Sequence, residues 1–336
     1  MKAALYQGPK KVQMADIPKP EISQNEVLIK ISYAGICGTD LHIFKGKHPR
    51  AQAPLVMGHE FSGVIEDIKT ENSALKKGDR VVVNPLIPCG HCLPCREGKI
   101  HLCPQLNLVG IDCHGAFAEY TKADIKRVVK IPDSLPMDLA ALTEPVAVAT
   151  HAVRKAQVAV GDRVVIMGGG PIGQMVAQIC KFSGASPVIL SEIVPQRVQF
   201  ARKMGLVAAG SRNETIQKVK ELIRPEGADI VFEAAGVQST YDYITEIVRP
   251  EGKIIAVGAA TGSIAVDFWK LFFCELNIMG IHVYDQTAFE AAIGLINDHP
   301  SIFRQFISKI AGYNELQSEL EKLAKGDATV MKILVK

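Results

Sequence analysis

The sequence predicts an α/β protein of two parts, a mainly β domain followed by a doubly wound parallel sheet. The chain has 336 residues, which is enough for two domains of ordinary size. Its pattern changes near residue 150, from short strand-like runs between Gly and Pro to apolar strands that alternate with helices. Hydrophobic residues make up 48% and charged residues 22% of the chain, which is typical of a globular protein and excludes a disordered one.

The first part has the pattern of a compact, partly barrel-like β domain. Short runs of β-prone residues recur at 27–31, 61–65 and 80–83, with Gly and Pro between them. Such runs, bounded by turn residues, predict short strands that pack around a single core.

After residue 150 the strand-like runs are apolar throughout, and helical patterns lie between them. The runs lie at 163–167, 186–191, 229–233 and 253–257, and the segment 172–182 has helical periodicity. Strands that are apolar on both faces and alternate with helices predict a parallel sheet covered on both sides, with right-handed crossovers.

A glycine-rich turn joins the first of these strands to the first of these helices. The turn fits G-x-G-x-x-G at Gly168, Gly170 and Gly173, and Pro171 and Ile172 lie where the helix begins. Glycines let a pyrophosphate approach the backbone closely, and the helix N-terminus offers free N–H donors. The motif alone is common, but its place between a strand and a helix predicts a dinucleotide site.

An acid at the end of the second strand bears on the choice of dinucleotide. Glu192 lies 19 residues after Gly173, where a carboxylate binds the ribose 2′- and 3′-hydroxyls. Because an acid there repels a 2′-phosphate, the sequence favours NAD over NADP. Arg197 lies nearby and suits a phosphate, so NADP stays open, as does a solvated strand-end role for Glu192.

Four cysteines within 15 residues form the strongest motif in the chain. Cys89, Cys92, Cys95 and Cys103 have the spacing C-x2-C-x2-C-x7-C. Four thiolates in one loop can surround a tetrahedral Zn²⁺ and leave no position for water, which predicts a structural zinc. A redox pair or an iron–sulfur cluster is the alternative.

A second group of metal-ligand residues comes earlier. Cys37 supplies a thiolate, and Gly58-His59-Glu60 supply an imidazole and a carboxylate. Neighbouring residues on a regular strand point to opposite faces, so the chain must bend for His59 and Glu60 to meet one metal, and Gly58 eases the bend. Fewer than four thiolates is typical of a catalytic zinc with an open position. By spacing alone, unrelated residues remain the competing interpretation.

Charge and terminal sequence exclude several partners and locations. The 38 Lys+Arg and 35 Asp+Glu residues leave a formal charge of +3, which does not predict a nucleic-acid surface. Gly8-Pro9 ends the first apolar stretch too early for a secretory signal, and no run is long enough for a membrane span. We therefore expect a cytoplasmic protein, whose eight cysteines are thiols or metal ligands.

Taken in order, these motifs resemble those of zinc-dependent medium-chain dehydrogenases. The matching segments are 37–42 (Cys-Gly-Thr-Asp-Leu-His), 58–60, the cysteine lobe 89–103, Glu144-Pro145 and the glycine turn 168–173. Within that family the chain is similar to the polyol branch of sorbitol, 2,3-butanediol and threonine dehydrogenases. The resemblance implies a GroES-like, mainly β catalytic domain at 1–146, an NAD-binding Rossmann domain at 147–284 and a C-terminal return to the first domain at 285–336.

The resemblance also implies roles for single residues. Cys37, His59 and Glu60 match catalytic zinc ligands, and Glu144 matches a further ligand or a residue hydrogen-bonded to the zinc water. Thr39 matches the hydroxyl that takes the substrate proton, and His42 matches the outer end of the proton relay. A turn residue and a surface histidine are the plainer interpretations of Thr39 and His42.

The implied activity is transfer of hydride from a secondary alcohol, such as a polyol, sugar alcohol or diol, to NAD⁺, with two Zn²⁺ per chain. L-threonine 3-dehydrogenase is the alternative, since carboxylates near zinc suit an ammonium group as well as hydroxyls. A zinc-free quinone reductase would lack the zinc motifs, and a non-catalytic NAD- and zinc-binding protein is the rival from another class.

The family also implies a homo-oligomer. The aromatic residues Phe268, Trp269, Phe272 and Phe273 are expected in core or subunit packing.

Overall fold

A computed structural model describes residues 1–70, 74–260 and 262–336 of the chain. The chain divides into two units. One consists of Met1–Pro145 and Asp285–Lys336, and the other of Val146–Tyr284.

The first unit is mainly β. Its strands before the second unit are β1 (Lys2–Gly8), β2 (Lys11–Asp16), β3 (Glu26–Gly35), β4 (Leu55–Val56), β5 (Glu60–Lys69), β6 (Arg80–Val83), β7 (Leu86–Ile87), β8 (Asn107–Leu108), β9 (Tyr120–Asp124) and β10 (Val128–Lys130). Its helices there are α1 (Gly38–Phe44), α2 (Leu93–Arg96), α3 (Met137–Ala140) and α4 (Thr143–Ala156), which continues into the second unit. The strands predicted at 27–31, 61–65 and 80–83 lie within β3, β5 and β6, which confirms them.

The second unit alternates strands and helices. Its strands are β11 (Val164–Met167), β12 (Val188–Ser191), β13 (Val207–Ala209), β14 (Ala228–Glu233), β15 (Val248–Ala256) and β16 (Asn277–Gly280). Its helices are α5 (Pro171–Phe182), α6 (Pro195–Lys203), α7 (Arg212–Lys218), α8 (Gln238–Ile247) and α9 (Phe268–Phe273), with a π-helical turn at Val219–Ile223.

The strands of the second unit form one parallel sheet in the order β13-β12-β11-β14-β15-β16. This order is the doubly wound arrangement of a Rossmann domain, in which the strand order reverses beside the first strand. The residues of β11 and β12 are buried throughout, as strands covered on both faces require. The predicted fold class is confirmed.

The chain then returns to the first unit through α10 (Gln286–Asp298), α11 (Pro300–Arg304), β17 (Ile307–Ala311), α12 (Leu316–Ala324) and β18 (Lys332–Val335). The last strand joins the main sheet of that unit, whose order is β10-β6-β5-β3-β18-β17, with β9 also paired to β3. Because β3 lies between β5 and β18, the registers bring Glu60 and Leu334 opposite the same residue, Gly35. Three distant segments therefore meet at the end of β3.

One packing expectation is partly wrong. The aromatic residues of α9 do not belong to the core of the chain, because their exposed fractions lie between 69% and 73% (Phe268, Trp269, Phe272 and Phe273). Trp269 packs against its neighbours on the surface, with its ring centroid 6.1 Å from those of Phe272 and Phe273. Subunit packing stays a prediction for these residues.

No helix in the described ranges is both long and apolar enough to cross a bilayer.

Candidate active site

The first ligand turn lies where β3 ends and α1 begins. Cys37 immediately precedes α1, and Asp40 stands in the first turn of that helix. The Cys37 N–H donates to Asp40 Oδ2 at 2.8 Å, and the Gly58 N–H donates to Asp40 Oδ1 at 3.3 Å. The fully buried Asp40 carboxylate therefore ties the turn that carries Cys37 to the turn that precedes His59.

The second ligand turn lies between β4 and β5. Gly58 has φ +92°, a left-handed conformation that side chains disfavour, and Glu60 is the first residue of β5. Because His59 precedes the strand, strand alternation does not separate its side chain from that of Glu60. The ligand atoms of Cys37, His59 and Glu60 all lie within 4.8 Å of one another.

The surroundings of His59 favour a cation. Burial lowers the pKa of this imidazole, but the Cys37 thiolate and the Asp40 carboxylate raise it, and the net value lies well above the ordinary one. A buried site that favours a positive charge, with thiolate, imidazole and carboxylate donors, has the chemistry that zinc requires. The three side chains therefore fit a zinc ion.

A lysine completes this cluster. Lys332 Nζ lies 2.8 Å from Glu60 Oε1 and 2.7 Å from Oε2, and it also donates to the Ile36 carbonyl at 3.1 Å. Lys332 is 4% exposed and Glu60 1% exposed. Burial lowers the pKa of Lys332, but the Glu60 carboxylate and the Cys37 thiolate raise it above its ordinary value.

The other residues expected at this site lie around the cluster. Glu144 is buried in the first turn of α4, outside the group of three, and its charge raises the pKa of both His59 and Lys332. The Thr39 hydroxyl lies 3.8 Å from the Cys37 sulfur. His42 stands three residues further along α1, on the same side of the helix, and is exposed to solvent.

The cysteine lobe forms a second, separate cluster. The sulfur atoms of Cys89, Cys92, Cys95 and Cys103 lie within 4.8 Å of one another, close enough to share one tetrahedral ion. The backbone amides of His91 and Cys92 donate to the Cys89 sulfur and lower its pKa to about 6. Helix α2 of the lobe buries none of its residues, so a bound ion would replace a hydrophobic core there.

The glycine turn of the second unit lies at the carboxyl end of the parallel sheet. Gly173 is in the first turn of α5, and a Cβ on it would overlap the Gly168 carbonyl oxygen, so only glycine allows this close packing. A cavity of about 580 Å³ beside the turn is lined by Gly168, Gly170, Glu192 and Arg197. A different cavity, of about 740 Å³, lies in the first unit. Pro171 and Ile172 begin α5 beside the cavity at the turn.

Glu192 has a defined place in this cavity. Its Oε2 accepts from the Gly169 N–H at 2.9 Å, and its Oε1 accepts from Ile193 N–H and Val194 N–H at 2.7 and 2.9 Å. It is 7% exposed, so it is not a solvated strand-end carboxylate. Arg197 Nη1 lies 3.6 Å from Glu192 Oε2, which offsets part of the negative charge. The geometry fits a dinucleotide whose ribose lies beside a carboxylate.

The sequence interpretation missed two residues that contact the group of Cys37, His59 and Glu60, which we call the open site. Asp40 has a local signal, since an acid three residues after the N-cap residue, here Cys37, caps backbone N–H groups. Lys332 has a weaker signal, because it is a lysine among the apolar, β-prone residues of a short run at 330–335. Its partner lies 272 residues away, so only the sheet register identifies it.

Comparisons with known proteins identify the families that the two units match. Residues 23–133 match the family described as alcohol dehydrogenase GroES-like domain, and residues 171–298 match the family described as zinc-binding dehydrogenase. An L-threonine 3-dehydrogenase of Pseudoalteromonas translucida is 39% identical over 284 residues, which are 83% of this chain and 82% of that protein.

Two further relatives match over nearly their full lengths. A 2-dehydro-3-deoxy-L-galactonate 5-dehydrogenase of Pseudoalteromonas atlantica is 34% identical over 337 residues, covering 100% of this chain and 98% of that protein. The crystal structure of 2R,3R-butanediol dehydrogenase from Bacillus subtilis superimposes with a TM-score of 0.92 at 28% identity, covering 100% and 99% of the two chains.

Proposed function

The chain belongs to the zinc-dependent medium-chain alcohol dehydrogenase family, and we propose that its substrate is a secondary alcohol with a neighbouring hydroxyl group, such as a polyol, sugar alcohol or diol. Membership establishes the reaction class and the use of zinc and a nicotinamide dinucleotide. The buried carboxylates around Cys37 carry the substrate proposal: Lys332 engages both oxygens of Glu60, whereas Glu144, outside the group of three ligands, is placed to accept a hydrogen bond from a second hydroxyl. Relatives named for a sugar acid and for butanediol support it.

The proposal assigns the metal sites by residue. Cys37, His59 and Glu60 hold the catalytic zinc, with Glu144 as a further ligand or as a hydrogen-bond partner at the open position. The structural zinc is held by the four lobe cysteines: Cys89, Cys92, Cys95 and Cys103.

The dinucleotide site and the domains are assigned in the same way. NAD is held by the glycine turn and the end of β12: Gly168, Gly170, Pro171, Ile172, Gly173, Glu192 and Arg197. We propose NAD rather than NADP because the three N–H donors that hold Glu192 fix its charge where a 2′-phosphate would lie. We also propose that the catalytic domain spans 1–146 and 285–336, and the Rossmann domain 147–284.

The protein groups prepare the substrate for hydride transfer. When bound, zinc supplies Lewis acidity toward the substrate hydroxyl, and NAD⁺ supplies the hydride acceptor. Thr39, beside the Cys37 sulfur, accepts the hydroxyl proton and passes it toward solvent-exposed His42. Asp40 holds the two ligand turns in register, so that the donors need no reorganisation during the reaction.

L-threonine is the second candidate substrate. It is favoured by the relative of that name at 39% identity, and the same carboxylates suit an ammonium group. A non-catalytic protein that binds NAD and zinc is the rival from another class, and it would take up the dinucleotide without turnover.

The first experiment is an NAD reduction assay on the purified protein with polyols, 2R,3R-butanediol and L-threonine, and with zinc counted in the same sample. We expect turnover with a polyol or diol, and about two zinc ions per chain. Cys37→Ser should lose turnover and one zinc, while Cys113→Ser, an exposed thiol outside both clusters, should lose neither. Turnover with L-threonine alone would select the second candidate, and NAD binding without any turnover would refute the enzymatic proposal.

We also propose a homo-oligomer in which the edge strand β16 of one copy pairs with that of a second. All four residues of β16 are exposed, and β15 is its neighbour on one side in the described sheet. Exposed edge strands are usually covered, and the exposed rings of α9 add an apolar surface in the same unit. We further propose a cytoplasmic location, because none of the eight cysteines forms a disulfide, and the three outside the two metal sites (Cys113, Cys180 and Cys274) are thiols that a reducing compartment preserves.

A further inference from the structure

The ion pair between Lys332 and Glu60 is a feature of the open site that zinc binding alone does not explain. Both carboxylate oxygens of Glu60 lie within 2.8 Å of the Lys332 ammonium, and both side chains are buried. A buried ion pair is a poor device for stability, because apolar residues of similar volume often do as well or better. The pair therefore calls for a functional reason.

The backbone is shaped to keep Glu60 in this place. Gly35 lies opposite Glu60 in the sheet, and a Cβ on Gly35 would overlap Glu60 Oε2. The carboxylate thus lies against the backbone of β3, where β18 presents Lys332. The Ile36 carbonyl accepts a further hydrogen bond from the ammonium and fixes its position.

This arrangement weakens Glu60 as a metal ligand. A carboxylate whose two oxygens accept from an ammonium has less negative charge to share with a cation, and residues behind a ligand commonly tune metal affinity. The ammonium also adds a positive charge beside the cluster, which opposes a second cation.

We propose that Lys332 is a positioning residue that restrains Glu60 and offsets its charge. As a result, the open site holds zinc less tightly, and leaves the zinc more electrophilic, than a site with an unrestrained Glu60. The proposal rests on the assignment of Cys37, His59 and Glu60 as zinc ligands. It predicts that removing the two partners of one ion pair has opposite effects on the metal.

The test measures the rate at which the full chain releases zinc to a chelator. Each of the two zinc ions gives one kinetic phase, and the phase of the open site is the one that Cys37→Ser lacks. Lys332→Met should slow that phase by about tenfold or more, because it removes a positive charge beside the cation. Glu60→Gln should speed it by about tenfold or more, which is the loss of metal affinity that substitutions around a metal site commonly cause. With Co²⁺ at the open site, Lys332→Met should change the visible absorption spectrum, because Glu60 then binds the metal as an unrestrained ligand. Lys336→Met, one residue beyond β18 and exposed, should leave both readouts unchanged.

A structural ion pair predicts something different. Both single variants would then release zinc faster, and that result would overturn the proposal, as would an unchanged rate and spectrum in Lys332→Met. Should Lys332→Met fail to fold, Lys332→Gln keeps a hydrogen-bond donor for Glu60 without the charge, and the same slower release is expected of it. If Cys37→Ser lost no zinc phase, the ligand assignment itself would fail, which is a separate outcome.

Discussion

Asp40 allows the sharpest test of how the open site is built. Its two carboxylate oxygens accept from the Cys37 and Gly58 amides, which belong to two different ligand turns. Asp40→Ala leaves the buried Gly58 N–H and the half-buried Cys37 N–H without this acceptor. A hydrogen bond to a charged group contributes about 1.5 to 3 kcal/mol, so two of them amount to about 3 to 6 kcal/mol.

Part of that loss is offset, because burial raises the pKa of Asp40 and so disfavours its charged form in the folded state. We therefore expect a net loss of about 2 to 4 kcal/mol for Asp40→Ala. Asp40→Asn should lose about half as much, since the amide oxygen can accept one bond while its NH₂ group faces the other donor.

Amide hydrogen exchange is the direct assay, because it reports on the two N–H groups themselves. A loss of about 1.4 kcal/mol lowers protection about tenfold, so protection at Cys37 and Gly58 should fall by about 30-fold or more in Asp40→Ala. Asp16→Ala is the control, since its ion pair with Lys2 is exposed and contributes little. Protection in Asp40→Ala equal to that of the control would refute the view that Asp40 joins the ligand turns.

Three further predictions concern other parts of the chain. Cys92→Ser should lose one zinc per chain and make the lobe sensitive to protease, because α2 buries no residues; a lobe that stays resistant without zinc would contradict this. Glu192→Ser should lower the preference of kcat/KM for NAD over NADP by about tenfold or more, while an unchanged ratio would show that Glu192 does not discriminate. Burial raises the pKa of Asp229, but the Arg249 side chain and the Arg163 N–H lower it further, so the pKa lies below its ordinary value in the folded chain. The ionised Asp229 therefore stabilises the fold fully above about pH 4, and this stabilisation is lost as the pH falls through the pKa of the folded state. Asp229→Asn should therefore show less loss of stability on acidification than the parent chain, and parallel acid-unfolding curves would contradict the prediction.

Features that depend on short stretches of chain could be predicted from the sequence. The apolar strands and the helix at 172–182 follow from periodicity, and they determine a parallel sheet because strands apolar on both faces need cover on both sides. The cysteine lobe, the glycine turn and His59-Glu60 are each defined by spacing within one turn or loop. Their chemistry is local, so residue type and order were enough to predict it.

The tertiary structure decided what depends on register and exposure. Lys332 meets Glu60 across 272 residues because β3 pairs with β5 on one side and β18 on the other, and no local pattern specifies that pairing. The rings of α9 have the composition of a core, yet they lie on the surface, since periodicity does not show which apolar face is covered. Spacing along the chain thus predicted the candidate ligands, whereas the lysine that pairs with one of them depends on strand order, which is set by the whole sheet at once.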